Sequence, residues 1–281
     1  MKIAALIGGR PQHLYFVNRL HAALGVDLCI VQAGESSGWR GLKNKLRSAA
    51  ALGSMQPFGA HVPTKIRRRA EARTCRRILG EGWGDLRRDV PVYFAPSVNG
   101  EDVVAQLDAL KPDALVVHGT AIVKPPVLDT APLALNVHWG LSPYYRGTNC
   151  TEWALIDRDP YNIGVTVHRL AQRIDAGDIV GQARVDVEPG DTALSINLKL
   201  TRAGTPIVIE ALGGVASGRS LRFWPQDLSR GKLRLNRDWS KQRRREVRRL
   251  TRPAALGAML DDPSRVERLA IVDGPRFEDE Q

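Results

Sequence analysis

Short continuous apolar runs alternate with helical patterns through the first half of the chain. Ile3 to Ile7 reads as a strand, and the turn Gly8-Gly9 opens a helix over Pro11 to Leu24 with Leu14, Val17, Leu20 and Leu24 on one face. Val26 to Val31 is a second strand. After a less regular stretch come a strand at Pro91 to Phe94, a helix near Glu101 to Leu110, and strands at Ala114 to His118 and Leu133 to His138. Strands separated by helices imply βαβ units and a mostly parallel sheet, hence an α/β fold of Rossmann type. A helix near Asn149 to Asp157 follows. Gly164 to Leu170 and Ile179 to Val187 alternate like strands around the polar turn Asp175-Ala176-Gly177-Asp178. Asp191 is placed to cap a long helix reaching about Leu212, which Gly204 and Pro206 are expected to bend or divide.

Two stretches do not fit this rhythm. Residues 35–90 carry basic helical patterns near Trp39 to Leu52 and Thr64 to Leu79, and read as an insertion into a core domain spanning residues 1–215. Residues 216–281 form a small C-terminal basic extension, with a charged helical pattern around Lys241 to Arg252 and an end, Phe277 to Gln281, expected to fray.

Composition narrows the class. With 281 residues and 43% hydrophobic positions, the chain can bury a sizeable core. The formal charge is +11, and thirteen Lys or Arg between Arg219 and Arg252 face only Asp227, Asp238 and Glu246. That stretch is either a surface for phosphate, nucleic acid or membrane, or a solvated basic helix. The first apolar run is too short for a secretory leader, and no run approaches a membrane span, so a soluble, cytoplasmic protein without membrane partners is expected. Cys29, Cys75 and Cys150 are scattered, which suits neither a disulfide framework nor a metal site, and no metal is expected.

Candidate chemistry gathers in Leu135-Asn136-Val137-His138-Trp139-Gly140-Leu141-Ser142-Pro143-Tyr144-Tyr145-Arg146-Gly147. Asn136 and His138 stand two apart at the C-terminal end of a strand, so both side chains leave on one face, at the end where open α/β sheets bind ligands. An amide beside an imidazole suits acyl transfer, one group stabilising an oxyanion and the other moving protons. The same pair also suits a buried hydrogen-bonded turn. Gly9 and Arg10 open a helix whose backbone N–H groups suit an acceptor phosphate, although a two-glycine turn is a weak motif.

Taken together, Asn136-Val137-His138, Leu141-Ser142-Pro143, Arg146-Gly147, Gly164-Val165-Thr166-Val167-His168 and Asp175-Ala176-Gly177-Asp178-Ile179 resemble the ordered signature of the formyltetrahydrofolate-dependent formyltransferases. The resemblance covers about Val90 to Leu212 and, loosely, the first thirty residues. It implies a catalytic trio in which Asn136 stabilises the oxyanion, His138 transfers protons and Asp175 orients His138 and helps to deprotonate the amine. Apart from the resemblance, Asp175 is also good turn chemistry. The resemblance further implies 10-formyltetrahydrofolate as co-substrate, held along Thr120, Ala121, Ile122, Val123 and Lys124 and near Asp178. Ile122 stands where the purine-pathway enzyme has an arginine, which counts against that assignment.

The function expected from the resemblance is N-formylation of a primary amine on a small molecule, with a nucleotide-linked amino sugar as leading acceptor. On the acceptor side, Trp139 either stacks on a ring or belongs to the core. Tyr144, Tyr145 and Arg146 either shape the entrance or close the loop, and His168 is either structural or functional. Methionyl-tRNA formylation is the alternative that the arginine-rich tail invites, but the tail shows little of the strand pattern that a C-terminal β-barrel requires, so nucleic acid is not the expected partner. Formylation of an amino acid or a hydroxyornithine, and hydrolysis of the folate, are further alternatives. The tail either packs on the catalytic domain or builds a homodimer contact.

Overall fold

The computed structural model describes residues 1–32, 65–80, 83–262 and 267–278. The expected helix over Trp39 to Leu52 lies outside the described residues. The chain forms two compact units, Met1–Leu135 and Asn136–Gln281.

In the first unit, β1 (Ile3–Gly8), β2 (Leu28–Gln32), β3 (Val92–Ala95) and β4 (Ala114–His118) form a parallel sheet that β5 (Leu133–His138) extends, in the order β3-β2-β1-β4-β5. Every residue of β1 and β4 is buried, as a parallel strand covered on both faces requires. The longer helices accompanying these strands are α1 (Pro11–Leu24), α2 (Lys65–Leu79) and α3 (Glu101–Leu110), and a single turn, Pro125–Leu128, precedes β5. Helix α1 turns Leu14, Phe16, Val17 and Leu20 inward. Each such apolar side chain contributes about 1.5–3 kcal/mol on burial.

The strand order reverses direction between β1 and β4, the switch point at which ligands meet open sheets. His13 fills the ground beside it. A Cβ on Gly8 would approach the Gly119 carbonyl oxygen to 2.5 Å, and one on Gly119, whose φ is +71°, would come 2.2 Å from His13 Nε2. Both positions therefore need glycine.

The second unit holds the end of β5 with β7 (Gly164–Arg169) and β8 (Ile179–Arg184), in the order β5-β7-β8, where β7 and β8 are antiparallel. A separate parallel ribbon joins β6 (Tyr145–Gly147) to β9 (Lys232–Arg234). Its helices are α4 (Cys150–Ile156), α5 (Ala193–Ala216), α6 (Lys241–Leu250) and α7 (Pro253–Leu260). Helix α5 begins one residue later than Asp191 as N-cap would set it: Thr192 accepts from Ser195 N, while Asp191 receives the Ser195 hydroxyl.

Gly204 and Pro206 do not divide α5. Pro206 lies inside a continuous helix, and Gly204 serves packing, since a Cβ there would stand 2.8 Å from Val165 Cγ2 and 3.3 Å from Val137 Cγ1. Val137 is the residue between Asn136 and His138, so this glycine lets the helix press against the strand that presents them.

At the start of the C-terminal end, Phe277 is packed. Phe277 is 2% exposed, lies against Gly214 and carries the Arg219 guanidinium 3.8 Å from its ring centroid. Residues 279–281 of the end expected to fray lie outside the described residues.

Candidate active site

The strand β5 delivers Asn136 and His138 to one face, and β7 delivers His168 beside them. The loop from β7 to β8 brings Asp175. Asn136 Nδ2 lies 3.1 Å from His168 Nε2 and donates to Asp175 Oδ1 at 3.4 Å. Asp175 Oδ2 stands 3.4 Å from His138 Nδ1, and its Oδ1 3.5 Å from His168 Nε2. One carboxylate thus faces an amide and two imidazoles.

The partners assign the ring nitrogens. His138 Nε2 lies 3.0 Å from the Tyr145 carbonyl, which can only accept, so Nε2 carries a proton and Nδ1 is the atom turned to Asp175. His168 Nδ1 likewise faces the Arg169 carbonyl at 2.8 Å, which leaves Nε2 to accept from Asn136. Gly140 is needed here, because a Cβ would come within 2.5 Å of both His138 Nε2 and the Tyr145 carbonyl oxygen.

Asp175 occupies left-handed backbone, φ +46°, and its Oδ2 accepts the Gly147 N–H at 2.8 Å. Burial pushes its carboxyl up, but His138, His168 and the Gly147 amide more than offset this and hold it well below the usual carboxylate range. The group is therefore a carboxylate at neutral pH. Cys150 is free and buried nearby, where burial and the Asp175 charge push its thiol up and keep it unreactive.

The remaining expected residues divide by environment. Tyr145 gives its hydroxyl to Asp159 at 2.9 Å, and desolvation and the two neighbouring carboxylates push the phenol up. Arg146, 7% exposed, donates to the carbonyls of Pro143 and Leu228, so it holds loops together from behind. His168, 1% exposed, contacts Asn136 and Asp175 from within the protein. Trp139 and Tyr144 are half-buried, and Arg230 stands over the Tyr144 ring.

In the first unit, Thr120 to Lys124 form one loop whose backbone is clamped. Ala121 N donates to Gln32, Lys124 N donates to Asn99 Oδ1, and Asn99 Nδ2 donates to the Ile122 carbonyl. Val123 is buried, while Ile122 is 63% exposed and offers apolar surface. Arg10 is exposed at the N-cap of α1, and its backbone N–H leans toward His13 Nδ1. Asp178 is half-buried and its carbonyl accepts from Arg169 N. Among the described residues, no group of three His, Cys, Asp or Glu side chains is placed to hold a metal ion.

Three supports escaped the sequence reading: the Tyr145 carbonyl, the Gly147 amide and the Gln226 side chain, which donates to the carbonyls of Asp175 and Gly177. The first two are backbone groups and leave no compositional trace. Gln226 lies far along the chain, and only its closeness in space gives it meaning.

The formyl transferase family model matches residues 56–212. The chain belongs to the formyl transferase family. It is 33% identical over 144 residues to methionyl-tRNA formyltransferase of Latilactobacillus sakei, a match covering 50% of this chain and 45% of that protein. The chain thus matches about half the length of that relative. Among solved structures, the N-formyltransferase of Helicobacter canadensis, determined with folinic acid and dTDP-3-aminofucose, aligns with TM-score 0.55 at 12% identity, covering 85% of this chain and 73% of that one. Glycinamide ribonucleotide transformylase 1 of Symbiobacterium toebii aligns with TM-score 0.53 at 22% identity, over 81% and 94%. These likenesses establish the α/β formyltransferase fold.

Proposed function

We propose that this protein transfers a formyl group from 10-formyltetrahydrofolate to a primary amine, and that the amine belongs to a nucleotide-linked sugar. The observation that carries this reading is the convergence of the Asn136 amide, the His138 imidazole and the Asp175 carboxylate on one face at a strand end.

The folate supplies the formyl carbon. Asn136 Nδ2 gives up its long 3.4 Å bond to Asp175 and donates that N–H to the formyl oxygen as the amine nitrogen attacks the formyl carbon and the C=O electron pair moves onto oxygen. Asp175 takes the amine proton, directly or through a water molecule. Asp175 passes that proton to His138 Nδ1, the ring nitrogen turned to it, and the imidazolium gives it to the departing folate nitrogen as the bond from that nitrogen to the formyl carbon breaks. Atoms and charge balance, and no metal is required. The Ile122 loop supports the folate assignment by offering an exposed apolar side chain on a clamped backbone. Trp139 and Tyr144 are the proposed acceptor contacts, and the exposed Arg10 suits the acceptor's phosphate.

The likeness to a nucleotide-sugar enzyme's fold favours that acceptor class. A second reading, an RNA acceptor, draws on the identity to methionyl-tRNA formyltransferase and on one surface. Helix α6 buries Val247 and Leu250 and exposes Lys241, Arg244, Arg245, Arg248 and Arg249. That face carries no exposed apolar residue, so it suits a phosphodiester backbone better than a lipid layer.

A panel assay decides between them. The protein is incubated with 10-formyltetrahydrofolate and nucleotide amino sugars, amino acids, hydroxyornithine or charged initiator tRNA, while tetrahydrofolate release and acceptor mass are followed. A gain of one formyl group on a nucleotide sugar is expected. Formylation of charged tRNA alone would replace the acceptor assignment, and release without any acceptor would replace transfer with hydrolysis. No release under any condition would reject the reading.

A further inference from the structure

The residues after α5 reach back to the loop that holds Asp175. Trp224 and Ile179 exchange backbone hydrogen bonds at 2.8 and 2.9 Å, which lays residues 224–226 alongside the end of that loop. From this anchored position Gln226 extends its amide nitrogen to the Asp175 carbonyl at 3.2 Å and also to the Gly177 carbonyl. A carboxamide nitrogen has two N–H groups, and both are spent here. Gln226 Oε1 is buried and makes no hydrogen bond among the described residues. Turning the amide over would point that oxygen at two carbonyl oxygens, so the orientation is dictated by the loop.

The same segment acts on the other side of Asp175. β9 pairs with β6, matching Arg234 to Gly147, and Thr148 N donates to the Arg234 carbonyl at 2.8 Å. This ladder holds Gly147 where its N–H meets Asp175 Oδ2. Gly147 cannot carry a side chain, since a Cβ would lie 1.9 Å from the Arg234 carbonyl oxygen. Gly177 is equally constrained, with a Cβ falling 1.9 Å from the Arg169 carbonyl oxygen.

We infer that Gln226 is a positioning residue for Asp175, and that the stretch from Trp224 to Arg234 is part of the apparatus that keeps this carboxylate aimed at Asn136 and His138. Left-handed backbone is disfavoured for a residue with a side chain, and it persists where the surroundings hold it. Gln226 grips the strained residue by its own carbonyl, while β9, through Gly147, grips it by its carboxylate. The basic extension thereby acquires a role independent of its charge.

This inference rests on the formyl-transfer reading for its kinetic consequence and not for its geometry, and the test separates the two. Gln226→Met keeps the length of the side chain and removes both donors. The variant is compared with the unaltered protein for its far-ultraviolet circular dichroism, its kinetics on the acceptor identified by the panel, and the titration of the His138 and His168 imidazoles followed by NMR. The expected results are native circular dichroism, kcat lower by about a hundredfold with KM changed less than about twofold, and displaced imidazole titrations, because the carboxylate both rings face has moved. Gln226→Asn, with its NH2 one methylene short, is expected to fall between the two; it also serves as the test variant if Gln226→Met does not fold. Unchanged kcat together with unchanged imidazole titrations in a folded variant would overturn the inference. Should the unaltered protein transfer no formyl group at all, the proposed function fails, and the imidazole titrations still decide whether Gln226 positions Asp175.

Discussion

Each unit of this protein buries a pair of histidines, and the two pairs have different surroundings. In the first unit the His13 and His118 rings meet edge to face, 4.8 Å apart, with Phe16 against His118. In the second the His138 and His168 rings stand 6.2 Å apart, and Asp175 approaches both. Burial and the neighbouring His118 hold His13 well below its ordinary range, so that it stays neutral and packs. The carboxylate gives the second pair a negative charge and a proton acceptor within reach. The comparison teaches that two pairs alike in burial differ in one charged neighbour, and in the proposed mechanism it is this buried carboxylate that makes acid–base chemistry available to the second pair.

The strongest way to break the contrast is to neutralise that carboxylate. Asp175→Asn, and separately Asn136→Ala, should each lower turnover by about a thousandfold with folding retained. Tetrahydrofolate release under saturating acceptor measures it, and near-normal turnover in either variant removes that residue from the catalytic role.

Displacing the carboxylate instead of removing it comes next. Gly147→Ala places a methyl group against the Arg234 carbonyl at φ +96°, and should cost about 1–3 kcal/mol of stability as well as activity. Denaturant unfolding followed by circular dichroism gives the number. An unchanged midpoint would show that the ribbon yields easily and does not brace Asp175.

A subtler change removes the second imidazole alone. His168→Phe takes away the acceptor that orients the Asn136 amide and should lower kcat by about tenfold while leaving acceptor KM nearly unchanged. If KM rises and kcat stays level, His168 contacts the acceptor and does not position Asn136.

The smallest effect concerns the first pair and is read in pH. Because His13 titrates lower in the folded chain than in the unfolded one, its contribution to stability is complete above about pH 6.5 and is lost as pH falls below it. Asp175 is also depressed, so its contribution is present above about pH 4 and disappears only at lower pH. Unfolding midpoints measured between pH 7.5 and 5 should therefore decline in the unaltered protein and decline less in His13→Gln. Parallel slopes would mean that His13 takes up its proton equally in the folded and the unfolded chain.

Much of this was legible from pattern alone. The runs Ala114 to His118 and Leu133 to His138, and the helix Glu101 to Leu110, stand where the apolar periodicity puts them. Buried parallel strands announce themselves by unbroken hydrophobicity. The short ribbon of β6 and β9 does not, because Lys232-Leu233-Arg234 holds one apolar residue, and that side chain is 41% exposed. Its pairing is made by backbone groups, to which composition is blind. Gly204 and Pro206 do not divide α5, for a related reason: propensity describes an isolated helix, whereas here Val137 and Val165 pack against the glycine.

Asn136, His138 and Asp175 were singled out by type and order, which survive in one dimension, and the fold brings the three side chains together. Which nitrogen of His138 faces Asp175, how Arg146 is spent on two carbonyls, and why Asp175 tolerates left-handed backbone are consequences of partners far away along the chain. Sequence by itself determined the layered α/β plan and the chemical types at the site, since periodicity and side-chain identity are local properties. Tertiary structure alone decided the proton positions, the burial that depresses His13 and the brace around Asp175. Desolvation and hydrogen bonding act at distances of a few ångströms in space, whatever the separation in sequence.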